Sequence, residues 1–340
     1  MNVRHTKSME LAYDIRGEGP TLVLVHGVIH RRHAWDPVVD LLARHRRVVT
    51  VDLPGHGDSP EMPEGPNPLQ IGADLAVEFF REIAPEEKVH VAGNSLGGWI
   101  ALEAAARGEV ASATGLSPAG FFAGALDQAR AVNTFRTLRW ATRRMGGTRD
   151  AFVSNRVGKS VGMGVFMSHP WRVPAETARI DAESLLSNKV IDRGLSADFA
   201  FSRPVDTSVP VTVAWGRRDL VLPCYEAKRV HQAFPQAEVT IIPGVGHVPM
   251  WDNPQLVASI LLAAARGRRC RAAHRVRRPV RRADAASRTD GQSRTDGQSR
   301  TDGQSRTDGQ SRTDGQSRTD GQSQARESRQ ASACRSSPKS

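Results

Sequence analysis

Short apolar runs, each closed by a loop of glycine and polar residues, constrain the fold of this chain more than any other feature. They fall at Thr21–Val25, Val48–Val51, Lys88–Ala92, Val209–Trp215 and Ala237–Ile242. Thr21–Val25 is nearly continuous in apolar character, the pattern of a strand buried on both faces, Val48–Val51 and Val209–Trp215 repeat that pattern, and Lys88–Ala92 is β-branched at alternate positions. Between them lie segments with helical spacing, at Ala34–His45, Pro68–Ile83, Leu96–Arg107 and Tyr225–Ala233, and a last one at Pro254–Ala265 opened by a proline suited to a helix start. A weak strand over Met9–Ile15 precedes the series, and Ala113–Ser117 ends another strand within it. Repeated strand and helix order predicts an α/β fold, a mostly parallel sheet covered by helices on both faces.

Within this series, Gly93-Asn94-Ser95-Leu96-Gly97-Gly98 sets one hydroxyl between a strand and a helix. Glycines at 93 and 97 remove the β-carbons that would collide as the chain doubles back, so the turn can be sharp and hold Ser95 in strained geometry. The hydroxyl then stands at the carboxyl edge of the sheet. There the helix amino end offers free N–H groups, and the N–H of Leu96 can donate to an oxyanion. Asn94 is assigned to the geometry of the turn.

An alcohol is a weak nucleophile at neutral pH and needs a base, and the base needs a group to orient it. Asp219, in Gly216-Arg217-Arg218-Asp219, follows the strand ending at Trp215, and His247, in Gly244-Val245-Gly246-His247, follows the strand ending at Ile242. In a parallel sheet all such loops emerge at one edge, so Ser95, Asp219 and His247 are expected to converge there. His30 and His33 are expected at a pocket entrance or on the surface. No carboxylate follows them at ligand spacing, and neither a metal nor a cofactor is expected.

From Pro118 to Asp206 the strand pattern disappears, and scattered Phe, Trp, Met and Arg with breaks at Gly146-Gly147 and Pro170 predict an inserted helical cap. Its Trp140 and Trp171 are assigned to the cap core. Beyond residue 265 the composition changes. Arg266 to Arg282 holds nine arginines and no acid, and Ser-Arg-Thr-Asp-Gly-Gln then repeats six times over 287–322. Without apolar side chains this stretch cannot offset its ordering entropy, so 266–340 is expected to be a disordered basic tail beside a folded domain at 1–265. The tail carries 19 Lys and Arg against 8 Asp and Glu, whereas 1–265 carries 28 of each. Contact with nucleic acid or an anionic surface is therefore expected of the tail only, and the folded part is expected to take a small molecule. Three cysteines, Cys224, Cys270 and Cys334, form no disulfide framework or metal motif. A polar amino terminus and the lack of a membrane-length apolar run predict a soluble cytoplasmic protein. Oligomeric state leaves no signal in the sequence.

His26-Gly27, Asp52-Leu53-Pro54-Gly55-His56-Gly57-Asp58-Ser59, Gly93 to Gly98, Gly216 to Asp219 and Gly246-His247 occur in the order found in α/β-hydrolases. Over Met9 to Ala265 the chain resembles the cap-bearing serine group of that superfamily, which includes esterases, meta-cleavage carbon–carbon bond hydrolases and cofactor-free haloperoxidases. The resemblance implies an eight-stranded sheet with the cap inserted after the sixth strand. It also implies a second oxyanion donor, the N–H of Val28, on a loop supported by His26 and Gly27. Ser95 speaks against relatives with an aspartate nucleophile, the dehalogenases and epoxide hydrolases. The expected activity is hydrolysis of a small carboxylic ester through an acyl-enzyme. Carbon–carbon or peracid chemistry on the same triad stands as an alternative, and a receptor tethered through its basic tail as the alternative outside catalysis.

Overall fold

The computed structural model describes residues 9–193 and 198–267 and the backbone of residues 274 and 275. Apart from residues 266, 267, 274 and 275, the arginine-rich stretch and the repeats lie outside the described residues, as does what was expected of them. β1 (Tyr13–Arg16) is an exposed edge strand antiparallel to β3 (Arg47–Val51). β2 (Thr21–Val25), β4 (His90–Asn94), β5 (Ser112–Leu116), β6 (Val211–Gly216) and β7 (Glu238–Ile242) continue in parallel, in the spatial order β1-β3-β2-β4-β5-β6-β7. Every residue of β2 and β5 is buried, the first a nearly continuous apolar run and the second built of small residues with the polar Ser112 and Thr114 among them.

Two expectations are corrected. Among the described residues the sheet has seven strands of four to six residues, and the eighth position is only a two-residue antiparallel pairing of His274–Arg275 with β7. The helical insertion follows the fifth strand rather than the sixth, because a single described strand, β1, precedes β2.

The helices of the core are α1 (Asp36–Ala43), α2 (Pro68–Ile83), α3 (Leu96–Ala106), α9 (Val230–Ala233), α10 (Pro249–Asp252) and α11 (Pro254–Ala264). Packing of α1 on α11 and of α2 on α3 covers the sheet. Local chemistry sets the starts of α2 and α11. Asn67 and Asn253 accept from the N–H groups of Gln70 and Leu256, each followed by a proline at the first helical position. The helix expected from Ala34 starts at Asp36 after a 3₁₀ turn at Arg32–Trp35, and most of the one expected from Tyr225 is a 3₁₀ segment, Cys224–Arg229.

Between β5 and β6 the described chain is helical: α4 (Ala125–Arg144), α5 (Arg149–Ser154), α6 (Arg156–Met163), α7 (Ala175–Ser187) and α8 (Val190–Arg193). Buried Ala131, Phe135 and Arg139 recur at four-residue spacing along one stripe of α4. Trp140 lies off that stripe and is 59% exposed, so it is not cap core; the Arg144 guanidinium covers its ring at 5.2 Å. Trp171 is likewise exposed, beneath Arg156 at 5.1 Å. Both stems of the insertion return to the core through aromatics: Phe199 and Phe201 pack on Trp99 of α3, and Phe121 packs on Trp215 of β6. Burying side chains of this size stabilises by about 1.5–3 kcal/mol each, which anchors the insertion over the carboxyl edge of the sheet. Among the described residues no helix is long and apolar enough to cross a membrane.

Candidate active site

Strand register brings the loops of the site together. Val25 pairs with Gly93, Asn94 with Leu116, Leu116 with Ala214 and Gly216 with Ile242, so the loops after β2, β4, β5, β6 and β7 leave the sheet at nearly one level. Ser95 occupies the junction of β4 and α3 with φ 55° and ψ −114°. A β-carbon on Gly93 would lie 1.9 Å from the carbonyl oxygen of Gly97, and one on Gly97 would lie 2.2 Å from that of Val25. Only glycine fits at either place. The strained backbone is held by the Ser95 N–H donating to Leu116 O at 3.1 Å and by the Ser95 carbonyl accepting from Trp99 and Ala119. Such geometry costs on the order of 1–3 kcal/mol and persists only where the surroundings over-determine it.

Asp219 and His247 meet, 28 positions apart in sequence. His247 Nδ1 lies 2.8 Å from Asp219 Oδ2, and both side chains are buried. Oδ1 of Asp219 accepts from the N–H groups of Val221 at 2.9 Å and Leu222 at 2.8 Å, which leaves Oδ2 for the imidazole. With Nδ1–H donating to Oδ2, the second ring nitrogen is left to accept a proton. Asn94, next to Ser95, donates to the carbonyls of Leu116 at 3.0 Å and His247 at 2.8 Å, tying the serine turn to the histidine loop.

Gly27 lies against the serine: a β-carbon there would be 3.3 Å from Ser95 Cβ. Its carbonyl accepts from the N–H of His30 at 3.0 Å and faces His26 Nδ1 at 2.8 Å. His26 Nε2 accepts from Leu53 N–H, so Nδ1 carries the proton and donates. Burial above all, with His56 beside it, holds His26 well below the usual histidine range and keeps it neutral. Because the N–H and C=O of a trans peptide point in opposite directions, the donors on Gly27 O turn the Val28 N–H away from them. The next carbonyl, that of Val28, is held by His56 Nε2 at 2.8 Å and by Asn188 Nδ2 at 2.6 Å. Asp52, fully buried, accepts from the N–H groups of Arg32 at 2.5 Å and Asp58 at 3.0 Å and pairs with the Arg32 guanidinium, bracing the loops after β2 and β3.

Several partners of the site carried no motif. Arg130 of α4 donates to the carbonyls of Leu220 and Val221, beside Asp219. Asp252 accepts from the N–H groups of Gly246 at 2.7 Å, Ser168 at 2.9 Å and His169 at 2.7 Å, locking the histidine loop to the insertion. Glu226 is buried, and neither oxygen receives a donor; burial first, then the Asp127 and Asp219 carboxylates, push it up to about 9 against Arg130. His33 is on the surface as expected, 3.4 Å from Asp36. His30 is not. It is buried, its Nδ1 is 3.5 Å from the β-carbon position of Gly27, and its Nε2 is 3.7 Å from Asp181 of α7. Helix spacing would have marked Asp181 as one more solvated carboxylate, and only packing shows otherwise. Among the described residues no group of three His, Cys, Asp or Glu is placed to hold a metal ion.

A mostly parallel sheet, a strained serine between strand and helix and a buried acid–imidazole pair on later loops of the same edge define the α/β-hydrolase class. The chain matches the alpha/beta hydrolase family over residues 22–260 and belongs to it. It is 28% identical to an uncharacterized protein of Mycobacterium tuberculosis over 258 residues, 72% of this chain and 74% of the other. It is 27% identical to the pimeloyl-[acyl-carrier protein] methyl ester esterase of Nitrosospira multiformis over 256 residues, 72% of this chain and 94% of the esterase. In fold it resembles a meta-cleavage product hydrolase of Pseudomonas fluorescens, with a TM-score of 0.57 and 18% identity over 76% of this chain and 94% of the other.

Proposed function

We propose that this protein is a serine hydrolase that cleaves a small carboxylic ester, or a related carbonyl compound, through Ser95, His247 and Asp219. His247 Nε2 takes the hydroxyl proton as Ser95 Oγ attacks the carbonyl carbon. Asp219 keeps the imidazole in the required tautomer and stabilises the imidazolium. The N–H groups of Val28 and Leu96 receive the oxyanion, and loss of one such donor costs ~2.7–4 kcal/mol of transition-state stabilisation. The imidazolium then protonates the leaving alcohol. Water, deprotonated by the same imidazole, attacks the acyl-enzyme and releases the acid with Ser95 restored.

The observation that carries this reading is the 2.8 Å approach of His247 Nδ1 to an Asp219 oxygen that no backbone donor occupies. Labelling with a fluorophosphonate probe tests it: the wild-type chain becomes labelled and Ser95→Ala does not. A wild-type chain left unlabelled where a reference serine hydrolase reacts overturns the reading. A carbon–carbon bond hydrolase of the meta-cleavage type would use the same side chains, and the resemblance of Gly93 to Gly98 to the turn of that group supports it as the second reading. Parallel assays of a simple ester and a vinylogous diketone separate the two.

A further inference from the structure

His30 lines a cavity of about 230 Å³ bordered by the loop after β2 and the helices α4 to α7. On one side the imidazole lies near Gly27, where an added β-carbon would stand 3.5 Å from His30 Nδ1 and 3.3 Å from Ser95 Cβ. On the other it lines the cavity together with Asp181. The rest of the wall is almost wholly apolar, including Leu138, Phe152, Met163 and Phe166, with Thr142 the one further polar side chain. Phe166 also backs onto the histidine loop, its carbonyl accepting from Val248 N–H at 2.9 Å. At this volume, below the ~300–1,000 Å³ of pockets for drug-sized ligands, the space suits a short apolar arm of a substrate.

The polar pair inside it is not satisfied by the protein. Asp181 is 7% exposed, and its Oδ2 lies 3.7 Å from His30 Nε2. That separation exceeds the ~2.7–3.2 Å of a hydrogen bond, so both groups keep bonding capacity. Burial pushes Asp181 up to about 7, against the attraction of Arg31, and pushes His30 down to about 3. Below about pH 7 the carboxyl is mostly uncharged, and beside an uncharged imidazole it donates to a neutral oxygen and offers no counter-charge to an ionised one. Resting on the serine hydrolase reading, we propose that this cavity receives one arm of the ester and that Asp181 with His30 selects an arm carrying a neutral keto or hydroxyl oxygen.

Among the charged groups on the surrounding elements, Arg31 draws Asp181 towards ionisation. Arg139 of α4 donates to the carbonyls of Leu185 and Asn188, Arg149 and Asp150 of α5 pair with each other, and Arg31 and His30 lie on the loop after β2. Ethyl hexanoate assayed beside ethyl 3-, 4- and 5-oxohexanoate, and hexyl acetate beside 5-oxohexyl acetate, tests the inference. At least one keto ester is expected to exceed its parent in kcat/KM by about tenfold or more, the scale of one buried hydrogen bond. Asp181→Leu abolishes that ratio, whereas Asp181→Asn, which keeps an N–H donor, retains it. Above pH 7 the wild-type ratio falls as the carboxyl ionises, and the Asp181→Asn ratio does not. Ratios near one throughout, or equal ratios in the wild type and Asp181→Leu, overturn the inference while leaving the hydrolase reading in place. Calorimetric titration of Ser95→Ala with ethyl hexanoate and the oxohexanoates reads binding without turnover. Tighter binding of a keto ester that disappears in Ser95→Ala/Asp181→Leu sustains the pocket even where the wild type hydrolyses nothing.

Discussion

Asp219 uses one oxygen to hold its own turn and the other to hold His247. An amide at this position could keep the first task and would fail the second, because its NH₂ would meet a ring nitrogen that must itself donate. Asp219→Asn is therefore expected to stay folded and to lose on the order of 10⁴-fold in kcat, read by steady-state hydrolysis of an activated ester. Glu226 makes a different prediction. In the unfolded chain its carboxyl titrates at its ordinary value of 4.5, whereas in the fold it is pushed up to about 9. Between those values the native state holds a proton that the unfolded state has released, so stability falls as pH rises through this window. The contribution is fully present below pH 4.5 and is lost as pH passes about 9. Glu226→Gln has no such proton to lose. The unfolding midpoint of the wild type is expected to decline relative to that of the variant from pH 5 to 9, and parallel curves over that range would contradict the assignment.

At the scale of elements, the chain could be read wherever one segment explains itself. The strand and helix on either side of Ser95, the clash that excludes β-carbons at 93 and 97, and the prolines opening α2 and α11 are all contained within a few residues. Elements that need a partner were less legible. The 3₁₀ segment Cys224–Arg229 stands where helical spacing suggested an α-helix, and the aromatic rings of Trp140 and Trp171 face outward under arginines. The join between the insertion and the histidine loop belongs to this scale. Asp252 gathers N–H groups from both sides, including Gly246 next to His247. Asp252→Ala leaves the buried Gly246 donor and the half-buried Ser168 and His169 donors unpaired, and a loss of about 3 kcal/mol in urea unfolding is expected. An effect within experimental error would mean that the insertion is held by its aromatic stems alone.

Across the whole molecule, the loops that carry Ser95, Asp219 and His247 leave one edge of the sheet because parallel strands of similar length end together. That convergence follows from strand order and loop position, which a linear chain displays. Residues that act through burial are another matter. Asp181, Glu226 and Asp252 look in sequence like any other surface carboxylate, and His30 was expected at an entrance or outside. Strand succession, the sharp turn at Ser95 and the order of Ser95, Asp219 and His247 were determined by the sequence alone, because hydrophobic period and glycine sterics act between near neighbours. Which carboxyl groups leave water, which of them meets an imidazole, and where a cavity remains between insertion and core were decided only by the tertiary structure. Desolvation depends on everything packed around a group, and those neighbours come from distant parts of the chain: Asn188 reaches Val28 across 160 positions, and Asn94 reaches His247 across 153.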